Sequence, residues 1–313
     1  MKVLVTGGAG HLGANLLRRL QADGGCELRA LARRGDNNEG ITSAGVEIVY
    51  GDLRDLESLR AACKGIDRIY HVAAQISTVG GKEEELFQNN VIGTKNLLQA
   101  AREAGCGRVV VTGSFSATGR NRDGSPANET VPFNPFDQHM PYEVSKQAVE
   151  LECLRAVAEG QDVVIATSCA ILGPHDYLPS RMGAVLRDFA AGKLRAYIPG
   201  GFEFVAARDI VEGHLLAMKK GRAGQKYIIS SGYVSVDELM DMMSRVTGKR
   251  KPPLRLPAPV MAAIAEVSTR VLKVLRPRSL QRLTPGAIRI LRQNRKADIS
   301  KAKRELGFQP TAL

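Results

Sequence analysis

A short apolar run, Lys2-Val3-Leu4-Val5-Thr6, passes without a break into Gly7-Gly8-Ala9-Gly10-His11-Leu12-Gly13 and on into the amphipathic stretch ending at Leu20. A strand that turns on three glycines straight into a helix is compatible with few folds. The first glycine makes the tight turn, the second lets backbone approach a pyrophosphate, and the third lets the helix pack on the sheet. A helix opening near Gly10 presents unpaired N–H groups and its positive dipole end to phosphate. The same trio could serve only a tight turn. Its place behind Val-Leu-Val and ahead of an amphipathic helix favours a dinucleotide site.

Strand patterns recur near 2–6, 27–32, 46–50, 67–72, 107–113 and 162–168, and helical patterns near 11–22, 55–63, 83–104, 141–159 and 178–191. Such alternation makes a parallel sheet covered on both faces. The expected fold is therefore α/β, a doubly wound parallel sheet of the Rossmann type with a smaller C-terminal substrate-binding region. The dinucleotide-binding domain is expected over 1–170, with 202–230 returning to it, and the substrate-binding region over 171–201 and 231–313. Loops at Gly173-Pro174, Ile198-Pro199-Gly200-Gly201 and Pro252-Pro253 separate expected helices at 208–219 and 236–247 and an expected strand at 226–230. An amphipathic helix is expected over 259–275 and a closing helix over 299–306.

Ligands of such a sheet bind beyond the carboxyl ends of its strands. The second strand ends Ala32-Arg33-Arg34, with no acid where an NAD-selective site places one for the ribose 2′-hydroxyl. Two arginines there can meet the 2′-phosphate of NADP with charge-assisted hydrogen bonds, or merely close a solvated strand end. NADP(H) is the expected cofactor and NAD(H) the alternative. Asp52, in Gly51-Asp52-Leu53, can reach an adenine amino group or cap the next helix. His71-Val72-Ala73-Ala74 ends the fourth strand with small residues that let backbone approach a cofactor, and Thr112-Gly113-Ser114-Phe115-Ser116 ends the fifth.

Tyr142 and Lys146 stand four residues apart at the start of a helix and so share a face. A phenol ordinarily titrates near about 10 and a neighbouring ammonium lowers it, which makes Tyr142 a candidate general acid/base. Alone, the pair is equally an exposed helix face. Joined to the glycine turn and to a serine at a strand end 28 residues before the tyrosine, it describes a site.

Composition excludes other classes. No apolar run is long enough to span a membrane, and the first strand begins at residue 2, leaving no room for a leader, so a cytoplasmic protein is expected. The five cysteines, at 26, 63, 106, 153 and 169, are single and lack Cys-x-x-Cys spacing, and the five histidines lack ligand spacing. Reduced core thiols and no metal are expected. From Arg245 onward, 17 Lys and Arg stand against three acids, a surplus of 14 in a chain of net charge +12. That basic stretch suits an anionic or thioester-linked small-molecule substrate, an acyl carrier or a peripheral membrane contact. With no tryptophan and no recognition motif, nucleic acid is not an expected partner.

Together, Thr6-Gly7-Gly8-Ala9-Gly10, Gly51-Asp52-Leu53, His71-Val72-Ala73-Ala74, Asn90-Val91-Ile92-Gly93-Thr94, Ser114, Tyr142/Lys146, Gly173-Pro174 and Lys301-Ala302…Glu305-Leu306-Gly307-Phe308 resemble the extended short-chain dehydrogenase/reductase family over nearly the whole chain. The stretch Val205–His214 is similar to its dihydroflavonol-4-reductase and hopanoid-associated sugar epimerase branch. The resemblance implies a catalytic Ser114-Tyr142-Lys146 triad. It places at the cofactor Gly7, Gly10, His11, Leu12, Gly13, Arg33, Arg34, Asp52, Leu53, Ala73, Ala74, Asn90, Thr112, Tyr142, Lys146, Cys169 and Ile171. It implies an NADP(H)-dependent carbonyl reductase, with a nucleotide-sugar epimerase or dehydratase retaining NAD as the alternative and a noncatalytic NADP sensor as a third reading. A homodimer through the helices near 83–104 and 141–159 is implied too. The chain departs from the family pattern in Gly113 within the serine motif, which makes Ser116 a second candidate hydroxyl. It departs again in Ser168, where a proline is usual, and in His11, where an aromatic is common.

Overall fold

The computed structural model describes residues 1–77, 82–257, 259–260 and 285–313. Its main sheet has seven strands, β1 (Lys2–Thr6), β2 (Glu27–Ala32), β3 (Glu47–Tyr50), β4 (Arg68–His71), β5 (Arg108–Ser114), β6 (Val163–Ser168) and β10 (Lys226–Ile229). They run in the order β10-β6-β5-β4-β1-β2-β3, every ladder parallel. A smaller sheet orders β11 (Gly232–Ser235), β9 (Gly201–Ala206) and β7 (Ala170–Leu172), and β8 (Ala196–Tyr197) pairs with β12 (Leu254–Arg255).

The side-chain period of two sorts the strands between two cores. Val3, Val5, Val110 and Val164 face the layer of α1 (His11–Asp23) and α8 (Ala207–Lys220). Leu4, Val109, Val111, Val163 and Ile165 face the layer of α3 (Leu56–Cys63), α5 (Gly93–Glu103) and α6 (Pro141–Ala158). Each such side chain contributes about 1.5–3 kcal/mol on burial, and a one-residue slip would turn all of them to the wrong face, so register is fixed strongly. A third core joins Phe189 of α7 (Arg181–Ala190), Phe204 of β9, Leu239 and Met240 of α9 (Val236–Thr247) and Leu291 of α10 (Pro285–Arg292). Among the described residues no helix is long and apolar enough to cross a membrane.

Three expectations change in detail. The helix expected over 83–104 is broken into α4 (Glu83–Leu86), a π-turn (Phe87–Ile92) and α5. The Thr94 hydroxyl donates to the Asn90 carbonyl at 2.6 Å, back-bonding of the kind that disturbs a helical ladder. The closing helix widens to a π-turn, Ala302–Leu306, that buries Ala302, Leu306 and Phe308 beside Tyr227. The loop expected at 198–201 ends one residue early, since β9 begins at Gly201 and pairs with β7 and β11, while the helix and strand expected at 208–219 and 226–230 form as α8 and as β10 of the main sheet. The amphipathic helix expected over 259–275 falls mostly on residues 261–284, outside the described residues.

From β1 the chain proceeds through β2 to β3 on one side and then crosses to β4 on the other. The crevice at the carboxyl ends of β1 and β4 is thus the switch point of the sheet.

Candidate active site

Gly7 leaves β1 at φ +73°, a left-handed conformation that favours glycine. A Cβ on it would lie 2.6 Å from the backbone of Ala73, so the small residues at the end of β4 and the glycine turn are two sides of one contact. A Cβ on Gly13 would lie 2.2 Å from the Gly7 carbonyl oxygen, which seats α1 directly on the turn. Gly10 differs, because a Cβ there meets only the Gly7 carbonyl, at 3.4 Å. Its outer side is open. Gly10 is also the N-cap of α1 and no side chain caps that end, so the amides of His11, Leu12 and Gly13 have no intrahelical acceptor. An open side, free amides and a helix dipole fit a pyrophosphate. Gly13→Ala is expected to cost about 1–3 kcal/mol in urea unfolding, because a methyl group must displace backbone. An unchanged midpoint would mean that the turn absorbs the methyl.

A buried chain of hydrogen bonds fixes the walls behind this turn. Thr94 donates to the Asn90 carbonyl, so its oxygen accepts from His71 Nε2 at 2.9 Å. His71 Nδ1 then accepts from the Thr6 hydroxyl at 2.7 Å, and that hydroxyl accepts from the Ala73 amide at 3.3 Å. The bonding pattern assigns His71 the neutral Nε2–H tautomer. Burial, and secondarily Lys146, push its pKa down to about 3. Asn90 is buried, and its carboxamide accepts from the Gln75 amide at 2.7 Å and donates to the Gln75 carbonyl and to Ser145. It therefore ties the loop after β4 to α6.

Ser114 ends β5, and Tyr142 and Lys146 lie on the first two turns of α6. The helix start is held by Pro141 and by Glu143, whose carboxylate accepts from the Met140 amide at 2.7 Å. The surroundings of the Tyr142 phenol raise it above the ordinary value by desolvation, and the neighbouring Ser114 hydroxyl partly offsets this. Ser116, the second candidate hydroxyl, sits 2.8 Å from Ser114 Oγ. Lys146 is buried and donates to the Thr112 carbonyl at 2.6 Å. Burial brings its ammonium down to about 8 against the pull of Cys153 and Glu150. The sequence suggested that Lys146 would lower Tyr142. In the structure burial dominates the phenol, and the ammonium is aimed at a strand-end carbonyl. The Thr112 hydroxyl meets His214 Nε2 at 2.8 Å, and His214 Nδ1 meets the Ile210 carbonyl at 2.8 Å. A proton on Nδ1 is required by that carbonyl, so Thr112 donates to Nε2.

The remaining residues spread along the crevice. Arg33 pairs with Asp36 at 2.8 Å, and Arg34 lies over the Tyr50 ring with 4.6 Å to the centroid. Asp52 pairs with Arg54 at 2.7 Å, which holds its carboxyl below the usual range, and the cap of α3 is supplied by Asp55 instead. Leu53 abuts Gly93, where a Cβ would lie 2.7 Å away. His11 Nε2 meets the Gly173 carbonyl at 3.2 Å, joining α1 to the loop after β7. Ala74 is exposed, Ile171 is half-buried on β7, and Cys169 is buried, which pushes its thiol up. Ser168, in place of the usual proline, bonds the Cys169 carbonyl at 2.9 Å. Sequence reasoning missed Arg295, which donates to the carbonyls of Phe115, Thr118 and Gly119. As one cation among 17 in the basic C-terminal stretch, it carried no separate signal.

Comparison with known proteins agrees with this geometry. Residues 3–230 match the model of the NAD dependent epimerase/dehydratase family. The chain is 40% identical over 312 residues to the sterol demethylase protein B of Methylococcus capsulatus, covering 100% of this chain and 94% of that protein. It is 28% identical over 316 residues to the 4-hydroxy-2-methyl-3-oxo-4-farnesyl-3,4-dihydroquinoline-1-oxide ketoreductase of Stigmatella aurantiaca, covering 98% and 92%. A dTDP-glucose 4,6-dehydratase of Streptomyces venezuelae, solved with NAD and TYD bound, superposes with a TM-score of 0.80 at 26% identity, covering 100% of this chain and 93% of that one. Sheet, glycine turn and match over most of its length agree that the chain belongs to the NAD-dependent epimerase/dehydratase family, the extended short-chain dehydrogenases/reductases, and is an NAD(P)-dependent enzyme.

Proposed function

We propose that the protein is an NADP(H)-dependent oxidoreductase that reduces a ketone on an apolar, sterol-like substrate to an alcohol, using Ser114, Tyr142 and Lys146. The observation that carries this reading is the placing of Tyr142 and Lys146 on the first two turns of α6 against the end of β5, where Ser114 lies and where Lys146 donates to the Thr112 carbonyl. Ketone reduction needs a proton donor at the carbonyl oxygen, and Tyr142 is such a donor. Ser114 orients that oxygen by hydrogen bonding. Lys146, one turn along α6, would hold ribose hydroxyls. The cofactor supplies the hydride when bound, and the Gly7–Gly13 turn would hold its pyrophosphate. Arg33 and Arg34, at a strand end without an acid, would take the 2′-phosphate.

The substrate class rests on the names of the sterol and farnesyl-quinoline relatives and on the apolar lining of the C-terminal region. Half-buried Met182, Leu186, Phe202 and Met243 surround its core. The basic surplus after Arg245 suits an anionic membrane surface or carrier from which such a substrate is drawn. Val144, Leu151 and Leu154, exposed on α6, favour a homodimer through that helix and α5.

The test is to check the purified protein for nucleotide, titrate it with NADPH and NADH, and assay cholestanone reduction. An empty protein that prefers NADPH and reduces the ketone is expected. Stoichiometric bound NAD would instead favour the nucleotide-sugar reading, to which the likeness to the dTDP-glucose dehydratase lends weight. Arg33→Ala with Arg34→Ala is expected to weaken NADPH by about 10–100-fold, the worth of one or two charged hydrogen bonds, and NADH by under about threefold. Equal losses for both cofactors would remove the 2′-phosphate role.

A further inference from the structure

Arg295 belongs to the C-terminal segment, yet its guanidinium reaches the end of β5. One terminal nitrogen donates to the carbonyls of Phe115 at 3.1 Å, Thr118 at 2.6 Å and Gly119 at 2.9 Å. The guanidinium also lies over the Phe115 ring, 4.7 Å from its centroid. These groups bracket the single 3₁₀ turn Phe115–Ala117, which separates the two hydroxyls Ser114 and Ser116. The anchor beneath the arginine is itself fixed. Ala127 donates to the Lys296 carbonyl and Asp298 to the Ala127 carbonyl, both at 2.9 Å.

Withdrawing a guanidinium from water is costly, and among the described residues its hydrogen bonds go to carbonyls and none to a carboxylate, while its Nε is buried without a partner. Three carbonyls and an aromatic face compensate in part. A half-buried cation committed to one short turn fixes that turn's conformation. Ser114 is the residue from which that turn starts and its hydroxyl is 2.8 Å from that of Ser116 within it, so the conformation of the turn sets where the Ser114 hydroxyl stands.

We propose that Arg295 is a positioning residue for Ser114, holding the Phe115–Ala117 turn so that the Ser114 hydroxyl stays beside the Tyr142 phenol. The inference rests on the Ser-Tyr reading of the site and extends it, by bringing the C-terminal region into the catalytic geometry. Arg295→Lys keeps the charge but loses the planar stack and the shared donor, whereas Arg295→Gln loses the charge as well.

The experiment is an ultraviolet difference titration of the Tyr142 phenol, each variant read against the same variant carrying Tyr142→Phe, with cholestanone turnover measured alongside. Because the Ser114 hydroxyl lowers the phenol, Ser114→Ala is expected to move its titration measurably upward. Arg295→Gln is expected to move it as far, Arg295→Lys less, and Ser114→Ala with Arg295→Gln no further than Ser114→Ala alone. NADPH affinity should stay within about threefold, since the turn acts on the serine. A shift with Ser114→Ala and none with either Arg295 variant overturns the inference and leaves the triad standing. Shifts that add in the double variant overturn it as well. No shift with Ser114→Ala overturns the Ser-Tyr reading itself. Should Arg295→Gln fail to fold, Arg295→Lys decides by the same comparison.

Discussion

Tyr142→Phe is expected to lower ketone reduction by about 10²–10⁴-fold while NADPH affinity stays within a few fold. The substitution removes one hydroxyl and leaves the ring. The helix start does not depend on that hydroxyl, because Pro141 and the Glu143 bond to the Met140 amide hold it. Ser114 keeps a partner in Ser116 at 2.8 Å. Nearby groups cannot take over the proton. His71 is neutral and closed between Thr6 and Thr94, and Lys146 is committed to the Thr112 carbonyl. The pH profile gives a second reading. Burial holds the phenol protonated, so reduction should be level through neutral pH and fall on the alkaline side, while alcohol oxidation rises there. Unchanged turnover in Tyr142→Phe would move the acid to another group, and loss of NADPH binding with turnover would make the tyrosine structural.

The parts of the molecule legible in the sequence are those built from local rules. Val-Leu-Val before three glycines, period-two strands and period-3.6 helices each specify their own geometry, and together they yield the doubly wound sheet. The Tyr142–Lys146 pair was legible because four residues make one helical face. What could not be read depends on distant partners. On α6 the buried face carries Glu143, Lys146 and Glu150 while Val144 and Leu151 are exposed, so ordinary amphipathic reading fails where the helix serves a site. Glu150 is stabilised by Lys226 at 2.9 Å, 76 residues away on the edge strand. The cap of α3 fell to Asp55 because Asp52 is taken by Arg54, a choice between two neighbouring acids that spacing does not make. Arg295 reaches the Phe115–Ala117 turn across 180 residues, and β9 starts at Gly201, directly behind the Pro199-Gly200 loop.

Acid should destabilise the protein well before its carboxylates protonate, and the cause is two histidines folded in neutral form. Burial lowers His71 to about 3 and His214 to about 4, against about 6.5 in an unfolded chain. Below about 6.5 the unfolded chain takes up a proton at each position and the folded protein does not. Their stabilising contribution is complete above about 6.5. It is lost as pH falls towards about 4, at up to about 1.4 kcal/mol per pH unit for each group. Both rings oppose protonation structurally. In His71 the free lone pair already accepts from Thr6, with the Lys146 charge nearby, and in His214 it accepts from Thr112. Glu150 and Glu203, raised by burial, act with the opposite sign, since a folded carboxyl that holds its proton more tightly gains stability as pH falls. The parent slope is therefore a difference, and the informative comparison is with His214→Leu. That variant should be less stable at pH 7, because the Thr112 hydroxyl and the Ile210 carbonyl lose their partner. Its urea midpoint should nevertheless fall less between pH 6.5 and 4.5 than the parent's, by up to about 2–3 kcal/mol over the interval. Parallel slopes would mean that His214 carries its proton in the folded protein, and the neutral Thr112–His214 bond at the end of β5 would have to be redrawn.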